Sequence, residues 1–114
     1  MSTLTIDVRS PFASLADAVQ ALETGRPLGP RYSFLSARAQ MHTLGGKRFE
    51  LIQALAGAGA VTIREAARRV ERDVKAVHGD VQTLLAGGVL DKTADGKIEF
   101  PYDAVHVDFL LKAA

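Results

Sequence analysis

The chain has 114 residues, 47% of them hydrophobic, which suits one domain with a small core, with or without an extension. It has no cysteine, which excludes disulfides, thiolate metal sites and a cysteine nucleophile. No apolar run nears the roughly 18 residues of a membrane span, and the start, MSTLTIDVRS, lacks the basic and apolar regions of a signal peptide, so a cytoplasmic protein is expected.

Net charge is only +1, but it is unevenly placed. Residues 31–75 carry nine basic and four acidic side chains, a +5 centre between flanks of −1 (residues 1–30) and −3 (residues 76–114). Such a centre is either a solvated surface or the electrostatic footprint of a polyanion binder.

The first element is LTIDV, where Leu4, Ile6 and Val8 alternate with polar residues as in a short amphipathic strand. SPFASLADAVQALETG follows as a helix, with Ser10 as cap, Pro11 at the first position, Gly25 as stop, and Phe12, Leu15, Val19 and Leu22 in one apolar stripe. RPLGPRYSF is a connector ending in a short extended piece, and SARAQMHTL a short helix. GKRFELIQALAGAGA is expected to turn Phe49, Leu51, Ile52 and Leu55 inward before its glycines end it.

TIREAARRV opens with a capping box: the Thr62 hydroxyl bonds the N–H of Glu65, and Glu65 reaches back. Its buried face is Ile63, Ala66, Ala67 and Val70. After a short break Asp73 caps a further helix with Val74, Val77, Val81, Leu84 and Leu85 inward. GGVL ends that helix and starts a strand, and VLDKTADGKIEF makes a hairpin around Asp95-Gly96. PYDAVHVDFLL alternates again at Val105, Val107 and Phe109.

Helix, tight turn, helix and hairpin is the order of a winged helix-turn-helix. The expected fold class is therefore α+β: a three-helix core with a β-hairpin wing over residues 44–102, a strand-helix extension over 1–43 and a terminal strand over 103–114. The stretch TIREAARRVERDVKAVHGDVQTLLAGGVLDKTADGKIEFPYDAVHVD resembles the MarR-type winged-helix regulators. It also resembles a prokaryotic group of small DNA-binding proteins with an ARR-x-x-RDVK-x-VH-x-DV core and a PYD ending, over residues 44–109. The resemblance implies sequence-specific binding of double-stranded DNA as a dimer. Some members of the group act as the antitoxin beside a small toxin-like protein. Many carry a larger side chain where this chain has Gly79.

At about 100° per residue, the side of the third core helix opposite its valines carries Lys75, Ala76, Gly79 and Thr83, with Gln82 and His78 at the margins and Arg72 just before the helix. A helix lying deep in a major groove gains from small residues at its closest approach, with longer polar side chains around them. The alternative is that Gly79 is drift on a solvent face. Arg64, Arg68 and Arg69 lie on the preceding helix, which crosses the DNA backbone in helix-turn-helix docking. Arg68 is favoured because Glu65 and Arg69 form an i,i+4 pair. Lys92 and Lys97 flank the hairpin tip and reach for a neighbouring groove or phosphate, against the opposing charge of Asp91, Asp95 and Glu99.

His42, His78 and His106 fall in three different elements without metal-ligand neighbours, so no metal, no cofactor and no catalysis are expected. The stripes of Leu4, Ile6 and Val8, of Phe12, Leu15, Val19 and Leu22, and of Val105, Val107 and Phe109 exceed what a three-helix core covers. A homodimer is their simplest partner; folding back onto their own domain, or docking a toxin, are the alternatives.

Overall fold

In the computed structural model, which describes residues 2–26, 29–109 and 113, strand β1 (Thr3–Val8) buries Leu4 and Ile6. Helix α1 (Pro11–Thr24) begins at Ser10, whose hydroxyl accepts the N–H of Ala13 at 3.1 Å, and ends at Gly25 with φ 68°, a left-handed cap that favours glycine. Strand β2 (Arg31–Phe34), helix α2 (Ala37–Leu44) and helix α3 (Lys47–Leu55) follow. Next come α4 (Ile63–Arg69), α5 (Val74–Ala86), the two-residue strands β3 (Asp91–Lys92) and β4 (Ile98–Glu99), and β5 (Ala104–Val107). The fold is α+β, with five helices and two small sheets among the described residues. Pro27 and Leu28 of the connector, and Leu110 and Leu111 of the final apolar run, lie outside those residues.

The segments before and after the central helices form one layer. β1 pairs in parallel with β2, Thr5 opposite Arg31 through Val8 opposite Phe34, and in parallel with β5, Thr3 opposite Ala104 through Ile6 opposite Val107. Gln40 on α2, fully buried, locks the helix to this sheet by donating to the carbonyls of Asp108 (3.0 Å) and Ile6 (3.5 Å). Leu4, Ile6 and Phe34 join one continuous core with Leu51, Ile52, Leu55, Ala66, Ala67, Val77, Val81 and Leu84. This corrects the assignment of Leu4 and Ile6 to a dimer seam: their own chain buries them. Val8 and Val105 are half-buried, Val105 packed on the same core. Phe12, Leu15, Val19, Leu22, Val107 and Phe109 are exposed.

Four further expectations fail locally. Phe49 faces outward, because Leu51, Ile52 and Leu55 already fill the inner side of α3. Val74 is also exposed; it sits in the first turn of α5, before the run of Val77, Val81 and Leu84 that meets the core. The strand expected from GGVL is short: Val89 and Leu90 are buried but lie in the turn before β3. The hairpin closes through the N–H of Gly96 to Thr93 O (3.0 Å) and of Thr93 to Lys97 O (2.8 Å), with Gly96 at φ 85°. That is a longer loop than the two-residue turn Asp-Gly suggests. Val61 bridges Ile98 and so ties the hairpin to the start of α4.

Candidate nucleic-acid interface

Helices α4 and α5 pack against each other and are joined by a tight turn. Thr62 caps α4, its hydroxyl accepting the N–H of Glu65 at 3.1 Å. The turn passes through Glu71 at φ 55°, a left-handed conformation uncommon for a residue with a Cβ. It is closed by the N–H of Glu71 on Arg68 O (3.2 Å) and of Arg72 on Ala67 O (3.0 Å). Asp73 then caps α5, accepting the N–H groups of Lys75 (3.1 Å) and Ala76 (3.4 Å).

Val77, Val81 and Leu84 are fully buried, so the rest of α5 has a fixed phase. Lys75, Ala76, His78, Gly79 and Gln82 are exposed, and a Cβ built on Gly79 meets nothing within 4 Å. Lys75, His78 and Gln82 make no side-chain hydrogen bond or ion pair among the described residues, so their polar ends are available to a ligand. Thr83 is half-buried, and its hydroxyl donates back to Gly79 O at 3.3 Å. The expected face is therefore present, bare in the middle, with Thr83 partly withdrawn from it.

Arg72 is not on that face. Its guanidinium Nη2 lies 2.8 Å from Asp80 Oδ2, its side chain is 14% exposed, and Arg48 of α3 reaches the same carboxylate at 3.0 Å. Arg72, expected as a DNA contact, is thus engaged in an ion pair within its own chain. The ground for preferring Arg68 over Arg69 changes, because both arginines, not Arg69 alone, pair with Glu65. Arg68 donates to both oxygens of Glu65 (Nε 2.8 Å, Nη2 2.5 Å), while Arg69 makes one contact at 3.1 Å. Hydrogen bonds from Arg68, then Arg69, hold the Glu65 carboxyl down to about 2. Glu65 is thus occupied and does not complete the capping box. Arg68 remains the more exposed of the two arginines, and one carboxylate between two guanidiniums leaves a net positive charge. Arg64 is exposed and unpaired among the described residues.

In the hairpin Lys92 is exposed, whereas Lys97 is half-buried and lies 3.7 Å from Asp95. The Thr93 hydroxyl donates to Asp95, and this contact lowers the Asp95 carboxyl pKa. The tip is close to electrically neutral, so Lys92 is its one lysine without an acidic partner among the described residues.

The Arg48–Asp80–Arg72 cluster was not legible in the sequence. The only hint was an acidic residue at the margin of an otherwise apolar helix face. Among the described residues no cluster of three or more His, Asp or Glu is placed to hold a metal ion, and no helix is long and apolar enough to cross a membrane.

The pattern of α3, α4, α5 and hairpin, with one polar helix face left open, coincides with a family match. The model of the HVO_A0114 family covers residues 43–107, over half of the chain, and the chain belongs to that family. No curated protein and no solved structure matches it.

Proposed function

We propose that the chain binds double-stranded DNA sequence-specifically as a cytoplasmic homodimeric transcriptional regulator, most simply a repressor. In this reading α3, α4, α5 and the β3–β4 hairpin work as a winged helix-turn-helix of MarR-like kind, without cofactor or catalysis. The observation that carries it is the open face of α5. Gly79 and Ala76 leave the backbone bare, and Lys75, His78 and Gln82 stand around that spot with free polar ends. A helix with this profile can lie close to base edges, with Lys75 and Gln82 hydrogen-bonding them. Arg64 and Arg68 on α4 then meet phosphates, which sets register without reading sequence.

The resemblance that motivates DNA binding also brings a small toxin-like protein as partner, which makes the chain an antitoxin that represses its own operon. The neighbouring gene and co-purification test that extension.

The experiment is selection of duplexes from a random pool, followed by titration of the selected duplex against salt. Logarithmic affinity should fall linearly with logarithmic salt concentration, because each neutralised phosphate releases counterions. A second reading, a protein–protein module without DNA binding, is favoured by one feature. An apolar groove of about 510 Å³ between α2, α3 and β5 is lined by Met41, Phe49, Val107 and Phe109. No enrichment of any duplex, at low and high salt alike, selects this second reading.

A further inference from the structure

Helix α1 is docked with its apolar side outward. None of its residues is buried. Phe12 is 86% exposed, Leu22 85%, Leu15 63% and Val19 45%. The opposite side, with Ala13, Ser14, Asp17 and Ala21, is the half-buried one. Asp17 anchors it by pairing with Arg9 and with Arg31 (3.1 Å), and Arg31 reaches on to Asp7 at 3.4 Å. An amphipathic surface helix normally turns its large apolar side chains to the core. Here charges hold the helix to the sheet, and the apolar stripe is left facing away from the chain's own core.

The spacing of the stripe suits a second copy of the same helix. Positions 12, 15, 19 and 22 advance in steps of three, four and three, which read the same from either end. A two-fold axis across the middle of the helix carries the stripe onto itself, which is the requirement of an isologous contact. Phe12 then meets Leu22 of the second copy, and Leu15 meets Val19.

Charge selects the antiparallel sense independently. The first turn of α1 has no acidic residue and the last turn no basic one. Glu23 flanks the stripe, lining a shallow groove with Phe12, Leu15, Ala16 and Val19. Antiparallel pairing sets Glu23 beside the N-terminal turn of the second α1, where the positive end of the helix dipole favours a carboxylate; Pro11 has no N–H and Ser10 takes that of Ala13, so the Phe12 N–H is the one left open there among the described residues. Parallel pairing sets Glu23 against Glu23. Asp17, the other acid of the helix, is held on the far side. With Phe12 and Leu22 exposed almost completely, the four side chains offer at most roughly 500 Å² per copy, so full coverage of the pair reaches about 1,000 Å², the lower bound for a specific interface.

We infer that α1 is the seam of a homodimer in which two copies of this helix pack antiparallel across a two-fold axis. This deepens the homodimer of the proposed function; its test reads assembly, with duplex binding as a separate readout, so either idea can fail without the other. Sedimentation equilibrium of the full chain should show a dimer. Leu15→Lys and Val19→Glu should each raise the dissociation constant at least tenfold. Both sites are exposed, and circular dichroism should show the fold retained. The double variant L15K/V19E should recover the dimer, because position 15 faces position 19 across the axis. A parent chain that sediments as a monomer overturns the seam, as do single variants that remain dimeric. Monomeric single variants without recovery in the double variant overturn the antiparallel register. A monomer that still binds duplex sinks the seam alone; a dimer of this kind that binds no duplex sinks the DNA reading alone.

Discussion

Arg72 and Asp80 meet at 2.8 Å with both side chains less than one-fifth exposed, and this pair binds the turn before α5 to the body of the helix. Arg48 brings α3 to the same carboxylate, so one acidic group fixes the seat of α5 on the two elements beneath it. Among the described residues Arg72 Nη1 is buried without a partner, which makes the carboxylate its main compensation. Asp80→Ala leaves two guanidiniums facing each other in a partly desolvated site. Removing one partner of a buried pair is costly, and with part of the site open to water a loss of about 2–4 kcal/mol is expected. Urea unfolding should show it as a lowered midpoint. Arg72→Ala should also lower stability while leaving sequence preference alone. An Arg72→Ala protein of parental stability with altered sequence preference would place Arg72 at the bases after all.

The cations differ in what they are free to do. Arg64→Ala and Lys75→Ala remove charges without an acidic partner among the described residues, and a lost phosphate contact reduces the salt slope by about one unit. If Lys75 reads a base instead, its loss changes sequence preference, as Gln82→Ala should. Glu65 holds two arginines in check. Glu65→Gln should therefore raise affinity for all duplexes alike and steepen the salt slope. Titration of the variants on one selected and one scrambled duplex separates these outcomes. Unchanged affinity of Glu65→Gln would mean that α4 stays clear of the backbone.

The same carboxylate makes a prediction about acid. Glu65 is held at about 2, against an ordinary value of 4.5, by Arg68 and then Arg69. A group whose folded value is depressed contributes stability above its unfolded pKa and loses that contribution as pH falls toward the folded one. The window is thus from about 4.5 down to about 2. The site is solvent-accessible, so the contribution is small and screened by salt. Thermal midpoints measured across that window should fall less steeply for Glu65→Gln than for the parent. Parallel acid limbs for the two proteins would remove Glu65 from the account.

Short-range signals make the helices and much of the candidate face legible. Ser10, Thr62 and Asp73 cap as their positions suggest, because capping depends on residues two or three apart. The phase of α5 follows from Val77, Val81 and Leu84, and it sets Gly79 outward. What the sequence hid depends on distant partners. Arg72 looks like a free cation until Asp80 and Arg48 are brought to it, and Arg48 lies 32 residues from Asp80 along the chain. The alternation of β1 and β5 tells which side is apolar but not that the two strands pair, Thr3 with Ala104. Leu4 and Ile6 therefore looked unpartnered although the chain buries them itself. The Glu65 contact with Arg69 was legible at i,i+4, while the stronger one with Arg68 was not, because side-chain rotamers decide between neighbours on the same helix.

Gly79 and Gly87, both on α5 or its cap, give opposite signs for the same substitution. A Cβ on Gly79 meets nothing within 4 Å, so Gly79→Ala should stabilise the fold by up to about 1 kcal/mol, through helix propensity and a less free unfolded chain. A Cβ on Gly87 would lie 2.2 Å from Tyr32 Cε2, and that ring packs on Phe34 with centroids 4.4 Å apart. Gly87→Ala should therefore cost about 1–3 kcal/mol as the ring is displaced. Thermal unfolding of the pair checks both signs. The larger substitution Gly79→Leu then carries the functional question. Its side chain points into open space, so the fold should accept it. If α5 lies deep in a major groove, that side chain strikes the bases or holds the helix away, and specific affinity should fall tenfold or more, about 1.4 kcal/mol. Retained stability with lost operator binding is the expected combination. Operator affinity equal to the parent's would mean that the bare centre of α5 is not where DNA is read.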